Sequence, residues 1–382
     1  MADGRASGSG LGSRFLPSFC AALLLALVFA LSPSASQAQS SLRLDPDQQA
    51  GQGPVDGTVP GNTLGDTSDA DYWRAVRGGV RGTVSIPDKK AGVLVQSEGD
   101  SWRAVRNGPL SNWGVWAMAG MLIALALFFL IRGRIRIERG WSGVTITRFN
   151  VVERMGHWLI ASSFVVLALS GLNVLYGRYF LPAVIGKDAF AAITWWGKHI
   201  HNYVAFAFML GLAWVFIAWV LQNIPNRHDL VWLAKGGGMF SKGAHVPARK
   251  FNAGQKIVFW LTVLGGLSVS LSGWALLFPF STSMFSDTFH LVNAVFGTSL
   301  PEALSPVQEQ QLAQVWHAAM SLFLIVVIFA HIYIGTIGME GAFDAMGTGQ
   351  VDLNWAREHH DLWVREELEK HPDAQHAPNP AE

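Results

Sequence analysis

The sequence predicts an all-α membrane protein. Only 14% of its 382 residues are Asp, Glu, Lys or Arg, whereas a soluble domain usually carries about 25%. Half of the residues are hydrophobic and 16 are tryptophans, which are enriched where helices leave a membrane. Five uncharged apolar stretches are each long enough to cross a bilayer core of about 30 Å. These stretches are Trp113–Ile131, His157–Tyr176, His199–Leu221, Ile257–Phe280 and Gln314–Ile337.

The N-terminal region predicts an exported segment. An apolar run, Phe15–Leu31, follows Arg5 and Arg14 and leads into small residues up to Ala38. This pattern is typical of a secretory signal peptide that is cleaved after Ala38. We therefore expect a signal peptide (1–38), a periplasmic segment (39–112), an extra transmembrane helix with a cytoplasmic loop (113–148), a four-helix core (149–340) and a cytoplasmic tail (341–382).

The basic residues of the loops predict the orientation. Six arginines lie between the first and second apolar stretches, and six further Lys or Arg residues lie between the third and fourth. The loop from Ser281 to Ala313, on the opposite side, has none. Because basic loops stay in the cytoplasm, we expect a multi-pass protein of the bacterial inner membrane with a periplasmic N-terminal segment and a cytoplasmic C-terminus. We expect the tail, which contains His359 and His360, to form a solvated amphipathic helix.

Charge and cysteine content exclude several functions. The net charge of +1 gives no basic surface for nucleic acid. The single cysteine, Cys20, lies in the predicted signal peptide, so the mature chain has no thiol for a disulfide, an iron–sulfur cluster or covalent haem attachment. Any redox cofactor must therefore be held by histidine or methionine.

Histidines are the ionisable residues of the predicted spans. His317 and His331 lie 14 residues apart on the last span, which is about 40° short of four full turns and a rise of about 21 Å. Both side chains therefore face the same way, one near each membrane surface. His157 opens the second span at the level of His331, and His201 opens the third at the level of His317.

Two interpretations of each histidine remain at this point. A single histidine in a span commonly forms a hydrogen bond to a neighbouring helix, and it also marks a functional site because an ionisable group there is costly. Two pairs at two depths favour bis-histidine ligation of two haems, since an imidazole on each face of the iron gives a six-coordinate electron carrier. His199 competes with His201, because two residues on a helix are rotated by about 200° and only one can face the core.

The sequence contains motifs around these histidines. Two of them are Glu153-Arg154-Met155-Gly156-His157-Trp158 and Gly197-Lys198-His199-Ile200-His201. Others are Asn223-Ile224-Pro225-Asn226, Phe251-Asn252-Ala253-Gly254-Gln255-Lys256, Trp316-His317-Ala318-Ala319, His331-Ile332-Tyr333 and Trp355-Ala356-Arg357-Glu358-His359-His360. With these motifs, residues 149 to about 370 resemble the cytochrome b (gamma) subunit of membrane-bound respiratory formate dehydrogenases. That subunit is one of the di-haem cytochromes b that also serve nickel–iron hydrogenases.

The resemblance implies a set of site residues. It implies two haem b groups, with His201 and His317 holding the periplasmic haem iron and His157 and His331 holding the cytoplasmic one, and so favours His201 over His199. It also implies a quinone, the electron acceptor, beside Asn252, Gly254 and His331. The expected fold is a four-helix di-haem transmembrane bundle with one extra N-terminal transmembrane helix. Shorter members of the family lack the signal peptide, the exported segment and the first span.

The resemblance further implies an electron-transfer role. The chain would anchor a formate dehydrogenase in the membrane lipid and carry electrons from the iron–sulfur beta subunit through both haems to quinone. Formate oxidation would take place on the catalytic alpha subunit. The alternatives are a cytochrome b subunit of a hydrogenase or another periplasmic oxidoreductase, and, from a different class, a haem-free membrane scaffold or transporter whose histidines bridge helices or relay protons.

Overall fold

A computed structural model describes residues 82–83, 93–94, 99–238, 246–279 and 281–370. The chain divides into two compact units after Pro109. In the first unit, strands β1 (Gly82–Thr83) and β2 (Val93–Leu94) pair antiparallel, and helix α1 (Gly99–Val105) leads into a π-helical turn, Arg106–Leu110. The predicted signal peptide and most of the predicted periplasmic segment lie outside the described residues.

The second unit is built from helices. In chain order they are α2 (Ser111–Arg132), α3 (Val151–Tyr176), α4 (Leu181–Ile185), α5 (Lys187–Trp219), α6 (Arg227–Ala234), α7 (Ala253–Leu277), α8 (Met284–Phe296), α9 (Pro306–Tyr333), α10 (Asp344–Gly347), α11 (Leu353–His359) and α12 (Asp361–Lys370). Two short strands, β3 (Thr145–Thr147) and β4 (Gln350–Asp352), pair antiparallel.

Among the residues that the structure describes, five helices, α2, α3, α5, α7 and α9, are long and apolar enough to cross a membrane. Their outer faces expose large apolar side chains: Leu130 is 78% exposed, Ile217 77% and Leu169 64%. Exposure of such side chains to water is unfavourable, whereas contact with lipid is favourable. The predicted all-α membrane fold of five spans is therefore confirmed.

Side-chain caps decide where these helices begin. At α3, the Asn150 side chain accepts a hydrogen bond from Glu153 N, while the Glu153 carboxylate accepts one from Asn150 N, each at 2.9 Å. The pairs Asn252–Gln255 and Ser305–Gln308 form the same arrangement at α7 and α9. These helices therefore start several residues before the apolar stretches, because hydropathy marks only the lipid-facing part whereas the caps satisfy the first free N–H groups.

Glycines allow close packing of α3, α5, α7 and α9 into a bundle. A Cβ atom at Gly211 on α5 would lie 2.8 Å from the Ile160 backbone nitrogen on α3, and one at Gly265 on α7 would lie 2.9 Å from Leu324 on α9. Both distances are shorter than carbon atoms tolerate, so only glycine permits these helix–helix approaches. The four helices form the predicted bundle.

The extra helix α2 packs along α9. At one end, the Tyr176 hydroxyl donates a 2.8 Å hydrogen bond to the Ser111 carbonyl oxygen, and Gly114 lies against Leu322. At the other end, the Phe128 and Tyr333 rings meet edge to face, with centroids 6.3 Å apart. The helix is thus held on the bundle over most of its length.

One end of the bundle is covered by what we name the end cap, residues 133–149 and 339–370. Strands β3 and β4 join its two parts, and the Glu358 carboxylate accepts hydrogen bonds from Glu138 N and Arg139 N at 3.0 Å. Arg154 of α3 donates to the carbonyl oxygens of Met346, Gly347 and Thr348. We name this end of the bundle the cap end and the opposite end, where α3 finishes and α9 begins, the open end.

The described part of the tail, residues 341–370, is packed rather than solvated, so the expectation of a solvated amphipathic helix is wrong there. Trp355 is 2% exposed, Trp363 4% and His360 1%, and His360 Nδ1 donates a 2.7 Å hydrogen bond to the Arg249 carbonyl oxygen. Burial holds the pKa of His360 well below its usual range. These contacts join residues more than 100 positions apart in the sequence, which explains why the local pattern did not indicate them.

The end cap encloses one arginine, Arg148. Its guanidinium donates a 2.8 Å hydrogen bond to the Lys250 carbonyl oxygen and lies 5.0 Å from the ring centre of Trp355. Burial lowers the pKa of Arg148 to about 9. Arg148 therefore connects the loop after α2 to the start of α7, through the carbonyl oxygen. It also connects this loop to the tail, through the aromatic rings.

Candidate functional site

Two histidine pairs lie inside the bundle, one towards each end of α9. At the open end, the rings of His201 on α5 and His317 on α9 have centroids 6.2 Å apart. At the cap end, the rings of His157 on α3 and His331 on α9 also have centroids 6.2 Å apart. The structure therefore brings together the two pairs of residues that the sequence predicted. We name them the open-end pair and the cap-end pair.

The spacing of each pair fits a shared metal ion. An imidazole nitrogen binds a metal at roughly 2 Å and lies about 1 Å from its own ring centre, so two rings on opposite sides of one ion have centres about 6 Å apart. Each pair thus has a separation at which both histidines would be able to hold one haem iron.

Serine and glycine residues surround the open-end pair. His201 Nδ1 lies 2.8 Å from Ser170 Oγ, and His317 Nδ1 lies 3.1 Å from Ser272 Oγ. The next residues are glycines: a Cβ atom at Gly171 would lie 3.6 Å from His201 Cε1, and one at Gly273 would lie 3.1 Å from His317 Cε1. Because Nδ1 is engaged in both rings, Nε2 is the nitrogen left for a metal.

Aromatic residues surround the cap-end pair. The His157 ring lies 5.3 Å from the Trp158 ring and 6.5 Å from the Trp219 ring, measured between centroids. Trp219 in turn donates a 3.0 Å hydrogen bond to Glu153, whose carboxylate also forms a 2.7 Å ion pair with Lys250. His157 Nδ1 is buried and has no hydrogen-bond partner among the residues that the structure describes. The two pairs therefore differ in how their rings are held.

His199 lies away from both pairs. Its ring packs edge to face against Trp195, with centroids 4.3 Å apart, while His201 on the same helix meets His317. This is the outcome expected of two residues rotated by about 200° on a helix. In the structure, His201 rather than His199 is the partner of His317.

Of the three residues predicted to contact quinone, Asn252 and Gly254 lie at the start of α7 and His331 lies on α9, all at the cap end. Asn252 Oδ1 accepts a 3.0 Å hydrogen bond from Gln255 N, so the side chain caps the helix. A Cβ atom at Gly254 would lie 2.8 Å from the Trp232 ring on α6, so an indole covers this glycine. A quinone headgroup would reach Gly254 only after that ring moves.

The sequence analysis missed Ser170 and Ser272, although the sequence contains a signal for them. The tripeptide Leu-Ser-Gly occurs twice, at Leu169–Gly171 on α3 and at Leu271–Gly273 on α7. A small hydroxyl residue followed by glycine in a span commonly serves helix packing, so the repeat alone does not indicate a histidine partner. Its meaning appears only when both copies are found beside histidine rings.

Comparison with known proteins agrees with this architecture. A model of the prokaryotic cytochrome b561 family matches residues 148–349. The chain is 26% identical over 223 residues to the cytochrome b556(Fdn) subunit of the nitrate-inducible formate dehydrogenase of Escherichia coli K12, which covers 58% of this chain and 91% of that protein. It is 24% identical over 227 residues to the formate dehydrogenase cytochrome b556 subunit of Haemophilus influenzae, covering 58% and 84%.

A membrane-spanning helical bundle with histidine pairs in its interior is the architecture of an integral membrane cytochrome b. The chain belongs to the prokaryotic cytochrome b561 family. Membership implies that it binds haem b, and its relatives are subunits of an oxidoreductase complex. The matched residues include both histidine pairs and the four bundle helices.

Histidine variants test which rings bind haem. We expect His201→Ala to lose one haem per chain, because His201 forms one side of the open-end pair. His199→Ala should retain both haems, because its ring contacts Trp195 instead. Pyridine haemochrome spectra of the purified variants give the haem content. Loss of a haem in His199→Ala, with none lost in His201→Ala, would contradict the assignment.

Proposed function

We propose that this chain is the membrane-anchoring cytochrome b subunit of a formate dehydrogenase, carrying electrons from a periplasmic iron–sulfur subunit through two b haems to membrane quinone. The observation that carries this proposal is the presence of two histidine pairs of equal spacing, each with one member on the membrane-crossing helix α9. The names of the relatives, all formate dehydrogenase cytochrome b556 subunits, support the choice of complex.

The histidines would hold the two haems. His201 and His317 would bind the iron at the open end, and His157 and His331 would bind the iron at the cap end. Haem b, when bound, supplies a reversible one-electron carrier. Because two imidazoles would hold each iron, these residues would favour electron transfer over oxygen chemistry.

The bundle would also separate the two histidine pairs and exclude water from the region between them. The rise between His317 and His331 is about 21 Å, most of the thickness of a bilayer core. Apolar side chains fill the intervening part of α9, where Leu322 is 6% exposed, Leu324 2% and Ile325 5%. Such packing excludes water, so a proton has no polar path along this part of the helix.

The start of α7 would provide the quinone site. Asn252 uses its oxygen to cap the helix, which leaves its amide N–H groups to donate to a quinone oxygen. Lys250, two residues before Asn252, forms an ion pair with Glu153 at the same end of the bundle. Reduction of a quinone consumes protons, and polar residues at this end would deliver them from the aqueous side.

The proposed orientation places the cap end in the cytoplasm of a bacterium and the open end in the periplasm. It follows from the basic loops and from the predicted signal peptide. Under this orientation the open-end pair faces the iron–sulfur beta subunit and the catalytic alpha subunit, which oxidises formate. The segment before α2 would then be exported, and the end cap would close the cytoplasmic face.

Formate should reduce the haems through the partner subunits. We expect formate to produce reduced b-type absorption bands in membranes that contain the tagged chain and its complex. Affinity purification should recover an iron–sulfur subunit and a catalytic subunit with it. Recovery of hydrogenase subunits, with reduction by hydrogen and not by formate, would support the hydrogenase alternative. A purified chain without haem would contradict both.

An Asn252 variant separates the cap from the quinone site. Aspartate also caps helices well, but a carboxylate cannot donate a hydrogen bond, so Asn252→Asp should slow quinone reduction about two- to tenfold, as expected for a lost hydrogen bond of 0.5–1.5 kcal/mol. Both haems should remain bound and reducible. Asn226→Asp, which changes the capping residue of α6, is the matched control. Equal rates in the two variants would place the quinone elsewhere.

Reporter fusions test the orientation. A reporter that is active only in the periplasm should be active when fused after Ser299, because that loop lacks basic residues, and silent when fused after Gly243. Activity measured in intact cells, corrected for fusion-protein abundance, gives the answer. The reverse pattern would overturn both the loop-charge argument and the predicted signal peptide.

A further inference from the structure

The rings of the open-end pair are each held by a serine on a neighbouring helix. Ser170 on α3 lies 2.8 Å from His201 Nδ1 on α5. Ser272 on α7 lies 3.1 Å from His317 Nδ1 on α9 and is fully buried. Each contact therefore crosses between helices and engages the Nδ1 atom of the ring.

The hydroxyl hydrogens of both serines are used elsewhere. Ser170 Oγ donates to the Val166 carbonyl oxygen at 2.7 Å, and Ser272 Oγ donates to the Ser268 carbonyl oxygen at 3.0 Å. A hydroxyl has one hydrogen and two lone pairs, so each Oγ is left as an acceptor. With each hydroxyl hydrogen directed to its helix carbonyl, the hydrogen shared with the imidazole comes from Nδ1.

A carbonyl oxygen leads to the same conclusion at His317. The Val269 carbonyl oxygen lies 3.1 Å from His317 Nδ1, and a carbonyl can only accept. With hydrogen on Nδ1, the neutral ring carries its lone pair on Nε2. The serines thus select the ring form that can bind a metal through Nε2.

The glycine after each serine makes room for the ring. A Cβ atom at Gly273 would lie 3.1 Å from His317 Cε1, closer than most side chains tolerate, whereas one at Gly171 would lie at an ordinary 3.6 Å from His201 Cε1. The Leu-Ser-Gly tripeptide therefore supplies an acceptor and a small neighbour to each histidine of this pair. We name Ser170 and Ser272 the seat serines.

The cap-end pair has no equivalent at His157, whose Nδ1 is buried without a partner in the described part of the chain. Other serines in the same helices also donate to carbonyl oxygens without contacting a histidine. Ser162 on α3 donates to the Trp158 carbonyl oxygen and Ser270 on α7 donates to that of Gly266, each at 2.7 Å. They provide matched controls.

We propose that the seat serines are positioning residues that lower the reduction potential of the open-end haem relative to the same site without them. A hydrogen bond from Nδ1–H to an acceptor makes the imidazole a stronger donor to a metal, and a stronger donor stabilises the ferric more than the ferrous ion. This inference rests on the proposed function only in assuming that the open-end pair binds haem.

A redox titration of the purified protein tests the proposal. In Ser170→Ala, the equilibrium constant for reducing the open-end haem should rise about three- to tenfold, as expected for one lost hydrogen bond; a tenfold rise is about 59 mV for a one-electron couple. Ser272→Ala should give a smaller rise, because the Val269 carbonyl oxygen remains 3.1 Å from His317 Nδ1 as an acceptor. The cap-end haem should titrate at its original potential. The step that disappears in His201→Ala identifies the open-end haem.

Controls and a second variant keep the test decisive. Ser162→Ala and Ser270→Ala should leave both reduction potentials unchanged. Ser170→Thr keeps the hydroxyl, so its open-end haem should have the lower potential of the wild type and not the raised potential of Ser170→Ala. Electron paramagnetic resonance of the ferric protein should show an altered signal for one haem in each seat-serine variant.

The outcomes separate this inference from the proposed function. Two haems with unmoved potentials in both seat-serine variants would overturn the inference alone. If an alanine variant loses the open-end haem, retention of that haem in Ser170→Thr and in both controls would support a positioning role, and its loss in Ser170→Thr would contradict it. Wild-type protein that binds no haem would contradict the proposed function itself.

Discussion

The geometry of helix α9 is the constraint on which the rest of the structure depends. It supplies one histidine to each pair, and the regular rise of an α-helix fixes His317 and His331 about 21 Å apart on one face. The partner histidines must then be provided at those two heights. His157 lies near the start of α3 and His201 lies in the first half of α5. Because α3 and α5 run antiparallel to each other, their histidines meet α9 at opposite ends. A displacement of α9 would disturb both pairs at once.

The extra helix, α2, packs against α9. Its contacts with α9 are made through Leu322 and Tyr333, which are rotated by roughly 140° to 200° from the two histidines around the helix axis. Thus α2 covers the back of α9 while the histidines face the bundle. The family model matches residues 148–349 and so begins after α2. Close packing at Gly114 and the hydrogen bond from Tyr176 to Ser111 hold this helix on the bundle.

Sequence patterns predicted the parts of the structure that follow from local periodicity. Hydropathy indicated the five spans, and the spacing of His317 and His331 indicated a shared face, because both depend only on the helix repeat. The helix starts, the buried position of His360 and the indole over Gly254 were not predicted. The helix starts depend on local capping residues that lie outside the apolar stretches, and the other two features depend on contacts with residues distant in sequence, such as the Arg249 carbonyl oxygen for His360. The rotation between His199 and His201 on one helix predicted that only one of them faces the core, whereas the choice of His201 came from the family resemblance.

The two ends of the bundle are chemically different, and the proposed function uses that difference. At the cap end, charged groups are paired close to the helix ends: Lys250 contacts Glu153, and Lys256, only 5% exposed in its side chain, lies 2.8 Å from Asp229. At the open-end pair, by contrast, the histidine Nδ1 groups are met by neutral hydroxyl and carbonyl oxygens. Proton-coupled chemistry requires ionisable groups near the reacting molecule, whereas transfer of an electron alone requires only a fixed, low-dielectric surrounding. Quinone reduction is therefore better suited to the cap end, and the open end to receiving electrons from a partner subunit.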